Sequence, residues 1–202
     1  MKPPMVGGID LVGKVLETGS SSHAVGDTVV VNGWGIGTDH YGGYAGEARV
    51  RSDWAIKLPE GMSSKQAAKI GTAGYTAMLC AQAMEHSGVT PASGPVLVTG
   101  ATGGVGGVAI LLLSQLGYNV VALSGKAGSE AETDHDYLKS LGAADVLDRT
   151  QFEGDSKPLG KEIYGGCIDS CGGKVLANIL PQIKYNGVVA ACGLAAGMPV
   201  ST

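Results

Sequence analysis

The sequence predicts an α/β protein whose larger part is a doubly wound parallel sheet, preceded by an N-terminal segment rich in β-strands. Three observations support this class. Residues 1–60 consist of short runs rich in Val and Ile that Gly, Asp and Pro interrupt. From residue 95 onward, strand-like and helix-like runs alternate, which is typical of a parallel sheet flanked by helices. Where the first strand of that region meets its helix, residues 100–107 contain five glycines.

The N-terminal strands are predicted in "IDLVGKVLETG", "GDTVVVNG" and "GEARVRSDWAIKLP". The pattern then changes to a helical one. Ser63 and Gln66 have the spacing of a capping box, and "GYTAMLCAQAMEHSG" is a helix-forming stretch that ends before Gly88 and Pro91. We therefore expect two domains, a β-rich one over residues 1–70, which the family resemblance described below identifies as a partial β-barrel, and an α/β domain over residues 71–202.

The α/β domain has five strand candidates, namely "VLVTG", "NVVALSG", "ADVLDR", "GCIDSCG" and "GVVAACG". Helical runs lie between most of them: "VGGVAILLLSQLG", "DHDYLKSLG" and "KVLANILPQI". Residues 150–162 are polar and contain glycine, so the connection between the third and fourth strands is expected to contain little helix.

Composition excludes several classes of protein. The net charge is −4 and no Lys or Arg stripe is present, so the chain is not expected to bind nucleic acid. The longest apolar run covers residues 105–113, far short of the roughly 20 residues that span a bilayer. Four cysteines occur without a C-x-x-C pair, which predicts reduced, mostly buried thiols and a cytoplasmic protein.

The glycine-rich stretch "VTGATGGVGG" follows a buried strand and opens a helix. Backbone amides at such a helix start, unobstructed by Cβ atoms, can hold a pyrophosphate. Ala101 takes the place of the first glycine in the G-x-G-x-x-G pattern of Rossmann-type folds, while Gly103 and Gly106 match the other two. The alternative is that the glycines form only a tight turn in a packed α/β domain and bind no ligand. The predicted diphosphate-binding residues are Ala101, Thr102, Gly103, Gly104, Val105 and Gly106.

The end of the next strand favours a phosphorylated dinucleotide. An NAD-binding protein usually has an acidic residue there, about 20 residues after the glycines, to bind the adenosine ribose. This sequence has Ser124, Gly125 and Lys126 instead, and a hydroxyl with an ammonium would attract a 2′-phosphate. The alternative for Lys126 is an ordinary solvated lysine. Tyr137 and Lys139 on the next helix are weaker candidates, and Tyr137 could instead pack against the sheet.

Other nucleotide-binding and catalytic motifs do not fit. Short-chain reductases need a Tyr and a Lys four residues apart, and no tyrosine here has a lysine at that spacing. No G-K pair is followed by Ser or Thr as in a P-loop, and no G-x-S-x-G elbow is present. The histidines are scattered, so each is expected to be a surface or loop residue.

The order of these parts resembles the zinc-independent branch of the medium-chain dehydrogenase/reductase superfamily. More narrowly, the chain resembles the acryloyl-CoA reductase group of the quinone oxidoreductase-like proteins. The resemblance rests on "GIDLVGKV", "NGWGIGTDHYGGYAGEARV", "IGTAGYTAMLC", "VTGATGGVG", "YLKSLGA" and "VAACGLA", and it extends over essentially the whole chain. It implies a chaperonin-10-like β-barrel on the substrate side and a Rossmann domain that binds NADPH.

The resemblance also implies the reaction. Zinc-dependent relatives have a G-H-E segment that supplies a metal ligand, whereas this chain has Gly8, Ile9 and Asp10, and isoleucine cannot bind zinc. No metal site is therefore expected. Hydride addition to the β-carbon of an activated C=C bond is favoured over alcohol oxidation, with a short enoyl-CoA such as acryloyl-CoA as substrate. The alternatives are a quinone reductase of the same fold and a catalytically silent NADPH-binding protein.

Further site residues follow from the resemblance alone. Thr72 would contact the nicotinamide or its ribose, and it is also a candidate helix N-cap, a role that can coexist with the first. Cys192, Gly193 and Leu194 would approach the nicotinamide from the last strand. The candidates for substrate contact or hydrogen-bond donation, Tyr41 and Tyr44, could instead pack on a barrel strand. Whole members of the family have further barrel strands and a further Rossmann strand, whose edge is often a dimer interface. The resemblance therefore implies that this chain is part of a longer protein that forms a homodimer at full length.

Overall fold

The computed structural model describes residues 3–125, 129–155 and 159–197, without the side chains of residues 129–132. The chain forms two compact units, Met1–Tyr75 and Thr76–Thr202. Within the described segments, no helix is both long and apolar enough to cross a bilayer.

The first unit contains a three-stranded antiparallel sheet in the order β1-β2-β3. Its strands are β1 (Asp10–Lys14), β2 (Thr28–Asn32) and β3 (Ile56–Lys57). The register places the first residue of β1 opposite the last residue of β2. The strand predicted in "GEARVRSDWAIKLP" is only two residues long, because residues 45–51 have no ladder partner among the described strands. Most of that segment is exposed.

The helical segment α1 (Ser64–His86) begins as the sequence predicts. The backbone N–H of Ser63 donates to Oε1 of Gln66 at 2.9 Å, and the N–H of Gln66 donates to the Ser63 hydroxyl oxygen at 3.3 Å. These two bonds form the expected capping box. The helix is interrupted at Gly71, whose φ of 50° and ψ of −164° lie outside the helical region.

The second unit is a five-stranded parallel sheet in the order β6-β5-β4-β7-β8. The strands are β4 (Val96–Thr99), β5 (Val120–Ser124), β6 (Asp145–Asp148), β7 (Tyr164–Asp169) and β8 (Ile183–Ala191). The helices are α2 (Gly104–Gln115), α3 (Ser129–Ser140) and α4 (Gly173–Ile179). Between β6 and β7 the described residues contain only a 3-10 turn, as expected. The strand order reverses beside β4, which is the switch point where α/β proteins of this type bind ligands.

Both faces of this sheet are buried. Val96 and Val98 of β4 pack in one hydrophobic cluster with Ile110 and Leu113 of α2, whereas Leu97 packs in the cluster on the opposite face. This alternation is what a strand with helices on both sides requires. The α/β class with a doubly wound sheet is confirmed, and the carboxyl ends of the strands hold the loops described next.

Candidate functional site

The glycine loop after β4 is folded tightly against the start of α2. The N–H of Gly103 donates to the carbonyl oxygen of Gly100 at 2.8 Å, and Gly100 has a φ of 58°, which favours glycine. A Cβ atom on Gly106 would lie 2.3 Å from the Gly100 carbonyl oxygen and 2.7 Å from the Cα of Ala101. The loop and the helix therefore approach each other more closely than any side chain at this position would permit.

The amides at this turn are available to an anion. Gly103 is the N-cap residue of α2 and provides no side-chain cap, and both Gly103 and Gly104 are exposed. Among the described residues, no hydrogen bond outside the helices and strands uses the N–H groups of Thr102, Gly104 or Val105. The first N–H groups of a helix lack intrahelical partners, and the helix dipole favours a negative charge there. The loop therefore fits the diphosphate of a dinucleotide.

A buried carboxylate organises the neighbouring loop after β7. Asp169 is 0% exposed, and its Oδ1 accepts a hydrogen bond from the Thr99 hydroxyl at 2.7 Å. The N–H groups of Cys171 and Gly172 donate to Oδ1 at 3.3 Å and Oδ2 at 2.9 Å. The N–H of Ser170 in turn donates to the Thr99 hydroxyl oxygen at 3.0 Å. These bonds fix the end of β7 to the end of β4, beside the glycine loop.

The loop after β8 is attached to the same point. The N–H of Cys192 donates to the Asp169 carbonyl oxygen at 2.8 Å. A Cβ atom on Gly193 would lie 2.4 Å from the Ser170 carbonyl oxygen, so this position also requires glycine. Leu194 follows as an exposed side chain. The predicted diphosphate-binding loop and the predicted residues Cys192, Gly193 and Leu194 thus lie at one edge of the sheet, joined through Asp169 and Ser170.

The predicted adenosine-side residues lie at the end of β5. Ser124 is buried and Gly125 is exposed, while Lys126 lies outside the described residues. Tyr137 is 47% exposed, and a Cβ atom on Gly107 would lie 3.3 Å from its hydroxyl oxygen, so the ring extends toward the start of α2.

Sequence reasoning missed a cationic side chain at this point. The guanidinium of Arg149, the first residue of the 3-10 turn that follows β6, lies against Gly125. Only the pairing register of β5 and β6 could have identified this contact.

In the first unit, Thr72 is held by a carboxylate. Oδ1 of Asp10 accepts hydrogen bonds from the Thr72 N–H at 2.8 Å, from the Thr72 hydroxyl at 2.6 Å and from Nδ2 of Asn32 at 2.6 Å. The helical stretch after Gly71 is therefore capped by Asp10, and Thr72, which was considered as the N-cap, is instead a donor to that cap. Sequence reasoning missed this contact as well, because the three residues are far apart in the chain.

The two tyrosine candidates lie in the loop after β2. Tyr41 is 61% exposed and Tyr44 is 85% exposed. The N–H of Tyr44 donates to the Gly7 carbonyl oxygen at 3.0 Å, and its ring lies over Gly8. Within the described residues, neither phenol hydroxyl takes part in a hydrogen bond, so both can interact with a ligand.

The cysteines are thiols, and three of them, Cys80, Cys167 and Cys171, are buried as expected. Cys192 is exposed overall. Desolvation of its sulfur by burial and, to a smaller extent, the neighbouring thiol of Cys80 raise the pKa of the Cys192 thiol to about 12. Burial likewise raises the pKa of Cys167. Among the described residues, no group of three His, Cys, Asp or Glu side chains is placed to hold a metal ion.

The chain is similar to known proteins along its whole length. Residues 1–60 match the alcohol dehydrogenase GroES-like domain. Over 199 residues the chain is 49% identical to the "Probable acrylyl-CoA reductase AcuI" of Escherichia coli (strain K12), covering 98% of this chain and 60% of that protein. It is 42% identical over 195 residues to the "Putative quinone oxidoreductase YhfP" of Bacillus subtilis (strain 168), covering 96% of this chain and 58% of that protein.

Solved structures of related proteins have the same fold as this chain. E. coli K-12 YhdH with bound NADPH superimposes with a TM-score of 0.95 at 48% identity, covering 100% of this chain and 61% of that chain. B. subtilis YhfP with bound NAD gives a TM-score of 0.89 at 41% identity, covering 98% and 59%. A GroES-like segment followed by a glycine loop on a doubly wound sheet defines an oxidoreductase-type fold. The chain belongs to the medium-chain dehydrogenase/reductase family, close to the acrylyl-CoA reductases, and spans about 60% of the length of these relatives.

Proposed function

We propose that the protein is an NADPH-dependent reductase that adds hydride to the β-carbon of an activated C=C bond, with a short enoyl-CoA such as acryloyl-CoA as its substrate. The observation that carries this proposal is the set of amides at the glycine loop and the start of α2 that have no loop hydrogen-bond partner among the described residues. The NADPH-bound structure of a relative with 48% identity supports it.

The cofactor residues follow from this geometry. The amides of Thr102, Gly104 and Val105 would bind the diphosphate, and Ser124 and Gly125 would lie beside the adenosine end. Thr72, Cys192, Gly193 and Leu194 would contact the nicotinamide side. Bound NADPH supplies the hydride.

Asp10 would orient the Thr72 hydroxyl in this site. The hydroxyl hydrogen is directed to Asp10 Oδ1, so the lone pairs of the oxygen point elsewhere and can accept a hydrogen bond from the cofactor. The amide of Asn32 donates to the same carboxylate oxygen and holds it in place. The exposed hydroxyls of Tyr41 and Tyr44 are the candidate donors to the enolate that hydride addition creates.

A deuterium-transfer assay on the full-length protein tests the proposal. NADPH labelled with deuterium at the transferred position is incubated with acryloyl-CoA, and the product is analysed by mass spectrometry and NMR. We expect propionyl-CoA with one deuterium at the β-carbon. Absence of turnover on any enoyl thioester, with NADPH still bound, would favour a silent binding protein.

The alternative is a quinone reductase of the same fold, which the 42% identity to the putative quinone oxidoreductase YhfP favours. A quinone that oxidises NADPH faster than acryloyl-CoA does would support this alternative. A homodimeric assembly and a cytoplasmic location are part of the proposal and stay predictions.

A further inference from the structure

An exposed tryptophan occupies a strained backbone position in the loop after β2. Trp34 has a φ of 57° and is 60% exposed. Glycine adopts this left-handed region freely, as Gly33 and Gly35 do on either side with φ values of 79° and 74°, whereas a bulky side chain is rarely found there. Exposure of so large an apolar ring adds to the cost. Strain of this kind is concentrated at functional sites, so the Trp34 ring is a candidate for ligand contact.

The Trp34 ring is part of a small aromatic cluster. It is stacked on the ring of Trp54, with 4° between the ring planes and 6.1 Å between the centroids. The ring of His40 is tilted against Trp54 at a centroid distance of 4.9 Å. Trp54 is half-buried, so it is the inner ring and Trp34 is the outer one. Trp34, Trp54 and His40 thus form an aromatic platform whose outer ring can stack with a planar ligand.

A guanidinium lies at this platform. The Cζ atom of Arg51 lies 5.7 Å from the centre of the Trp54 ring, and the Arg51 side chain is 68% exposed. Its Nε and Nη2 donate to the two carboxylate oxygens of Asp53 at 3.0 Å and 2.8 Å, which fixes the guanidinium in place. In the part of the chain that the structure describes, Nη1 makes no hydrogen bond, so it can donate to a phosphate. Because Asp53 offsets much of the charge, stacking is the main interaction that the cluster offers.

The aromatic platform belongs to the same loop as the residues proposed to contact the substrate. The N–H of His40 donates to the carbonyl oxygen of Gly35 at 2.9 Å, and the N–H of Gly37 donates to the carbonyl oxygen of His40 at 2.7 Å. These bonds join the turn after Trp34 to the residue before Tyr41. A ligand on the platform therefore lies beside the loop that carries the candidate hydrogen-bond donors.

We propose that Trp34 and Trp54 bind the adenine ring of the coenzyme A moiety by stacking, with Nη1 of Arg51 beside its phosphates. This inference rests on the proposed function. An enoyl-CoA has its reacting carbon at one end and an adenine nucleotide with a 3′-phosphate at the other. Aromatic side chains stack with any nucleobase, and contacts with a remote part of the substrate can raise kcat/KM. A quinone has no such nucleotide, so the platform favours the enoyl-CoA substrate over the quinone alternative.

A binding experiment tests the site without any turnover. The ligand is adenosine 3′,5′-bisphosphate, the nucleotide end of coenzyme A, and the full-length protein is first saturated with NADP⁺ so that the dinucleotide site is filled. Calorimetry should give a Kd that rises roughly 5- to 100-fold in Trp34→Asn, the loss of one stacked base. Asparagine tolerates a positive φ better than tryptophan does, and thermal unfolding verifies that the variant folds.

Three further variants control for position, ring and charge. Tyr185→Asn removes an 86% exposed aromatic ring from the second unit and should leave the Kd for the bisphosphate unchanged. Trp34→Phe keeps an aromatic ring and should recover most of the affinity. Arg51→Gln removes an exposed guanidinium and should weaken the bisphosphate more than it weakens adenosine, which gives a second measurement of the site should Trp34→Asn not fold.

A kinetic comparison connects the site to the substrate. Acryloyl-pantetheine has the same reacting group as acryloyl-CoA but no nucleotide. The ratio of kcat/KM for acryloyl-CoA to kcat/KM for acryloyl-pantetheine should fall at least about fivefold in Trp34→Asn and remain near the wild-type value in Trp34→Phe. A lower Tm with an unchanged ratio and an unchanged bisphosphate Kd would show that Trp34 only supports Trp54, and the inference would be wrong.

The outcomes separate this inference from the proposed function. If the NADP⁺-loaded wild type binds the bisphosphate no more tightly than Trp34→Asn and Arg51→Gln do, the platform is not a nucleotide site, even where acryloyl-CoA is reduced. The same result is expected if another segment of the full-length protein or a second copy covers Trp34. If bisphosphate binding depends on Trp34 but no enoyl-CoA is reduced, the nucleotide site stands and the proposed reaction is contradicted.

Discussion

The contact between α2 and the glycine loop allows a quantitative prediction for Gly106→Ala. The new Cβ would lie 2.3 Å from the Gly100 carbonyl oxygen and 2.7 Å from the Ala101 Cα, and both are backbone atoms that cannot rotate away. Overpacking typically costs about 1–3 kcal/mol, and a clash with two backbone atoms belongs at the upper end of that range, about 3 kcal/mol. Replacing glycine by alanine inside a helix stabilises the folded state by about 1 kcal/mol, which offsets part of this cost. The net loss of unfolding free energy is therefore about 2 kcal/mol, equivalent to a decrease in Tm of about 4–8 °C.

The neighbouring glycine provides the matched control. A Cβ atom on Gly107 would lie 3.3 Å from the hydroxyl oxygen of Tyr137 and 3.6 Å from Cδ1 of Leu141, both at the far ends of side chains that can move. Gly107→Ala should therefore keep the wild-type Tm or raise it by a few degrees, since the helix-propensity gain of up to about 1 kcal/mol persists.

The two variants should differ in cofactor binding as well. A shift of the loop at Gly106 displaces the amides of Thr102 and Val105, so the Kd for NADPH should rise at least about tenfold, the loss of one charge-assisted hydrogen bond. The assay combines thermal unfolding followed by circular dichroism with a fluorescence titration of NADPH. A Gly106→Ala variant with the Tm and Kd of the wild type would refute the argument that close backbone contact shapes this loop.

Three other predictions concern hydrogen bonds and thiols. Thr99→Val leaves the buried Asp169 carboxylate short of a donor and should lower the unfolding free energy by about 1–3 kcal/mol in guanidinium titrations, whereas Thr99→Ser should cost less than half as much. Equal losses would contradict this. Asp10→Ala removes the cap that Thr72 uses and should cost about 1 kcal/mol by the same measurement. Because the pKa of Cys192 is about 12, its alkylation by iodoacetamide at pH 8 should be at least about tenfold slower than that of free cysteine. An equal rate would show that this thiol is not shielded.

The alternation of strand-like and helix-like runs was sufficient to predict the parallel sheet of the second unit. Each strand there contains a short apolar run with glycine or polar residues beside it, so the presence of all five strands and their parallel arrangement could be predicted from local sequence. The capping box of Ser63 and Gln66 is equally local, because its two hydrogen bonds join residues three apart. The run "GEARV" also looks like a strand, but a strand forms only where a partner offers a ladder, and local pattern does not contain that information.

The parts of the site that sequence reasoning missed all depend on pairing between distant segments. Arg149 reaches Gly125 only because β5 and β6 align in one particular register. Asp169 contacts Thr99 because β7 pairs with β4, although the two strands are not consecutive in the chain. Asp10 contacts Thr72 because β1, the edge strand of the first unit's sheet, lies near the helix break at Gly71. The glycine pattern identified the loop and the family resemblance identified Thr72, but the groups that hold them in place are visible only in the fold.

The proposed function depends most on the binding of a dinucleotide diphosphate by the amides at the start of α2. The most direct measurement is an NMR titration that follows the backbone amide signals of Thr102, Gly104 and Val105 while NADPH is added. We predict large, saturable shifts of these signals at micromolar NADPH, with smaller changes elsewhere in the sheet. Signals that stay in place at millimolar NADPH would contradict the account.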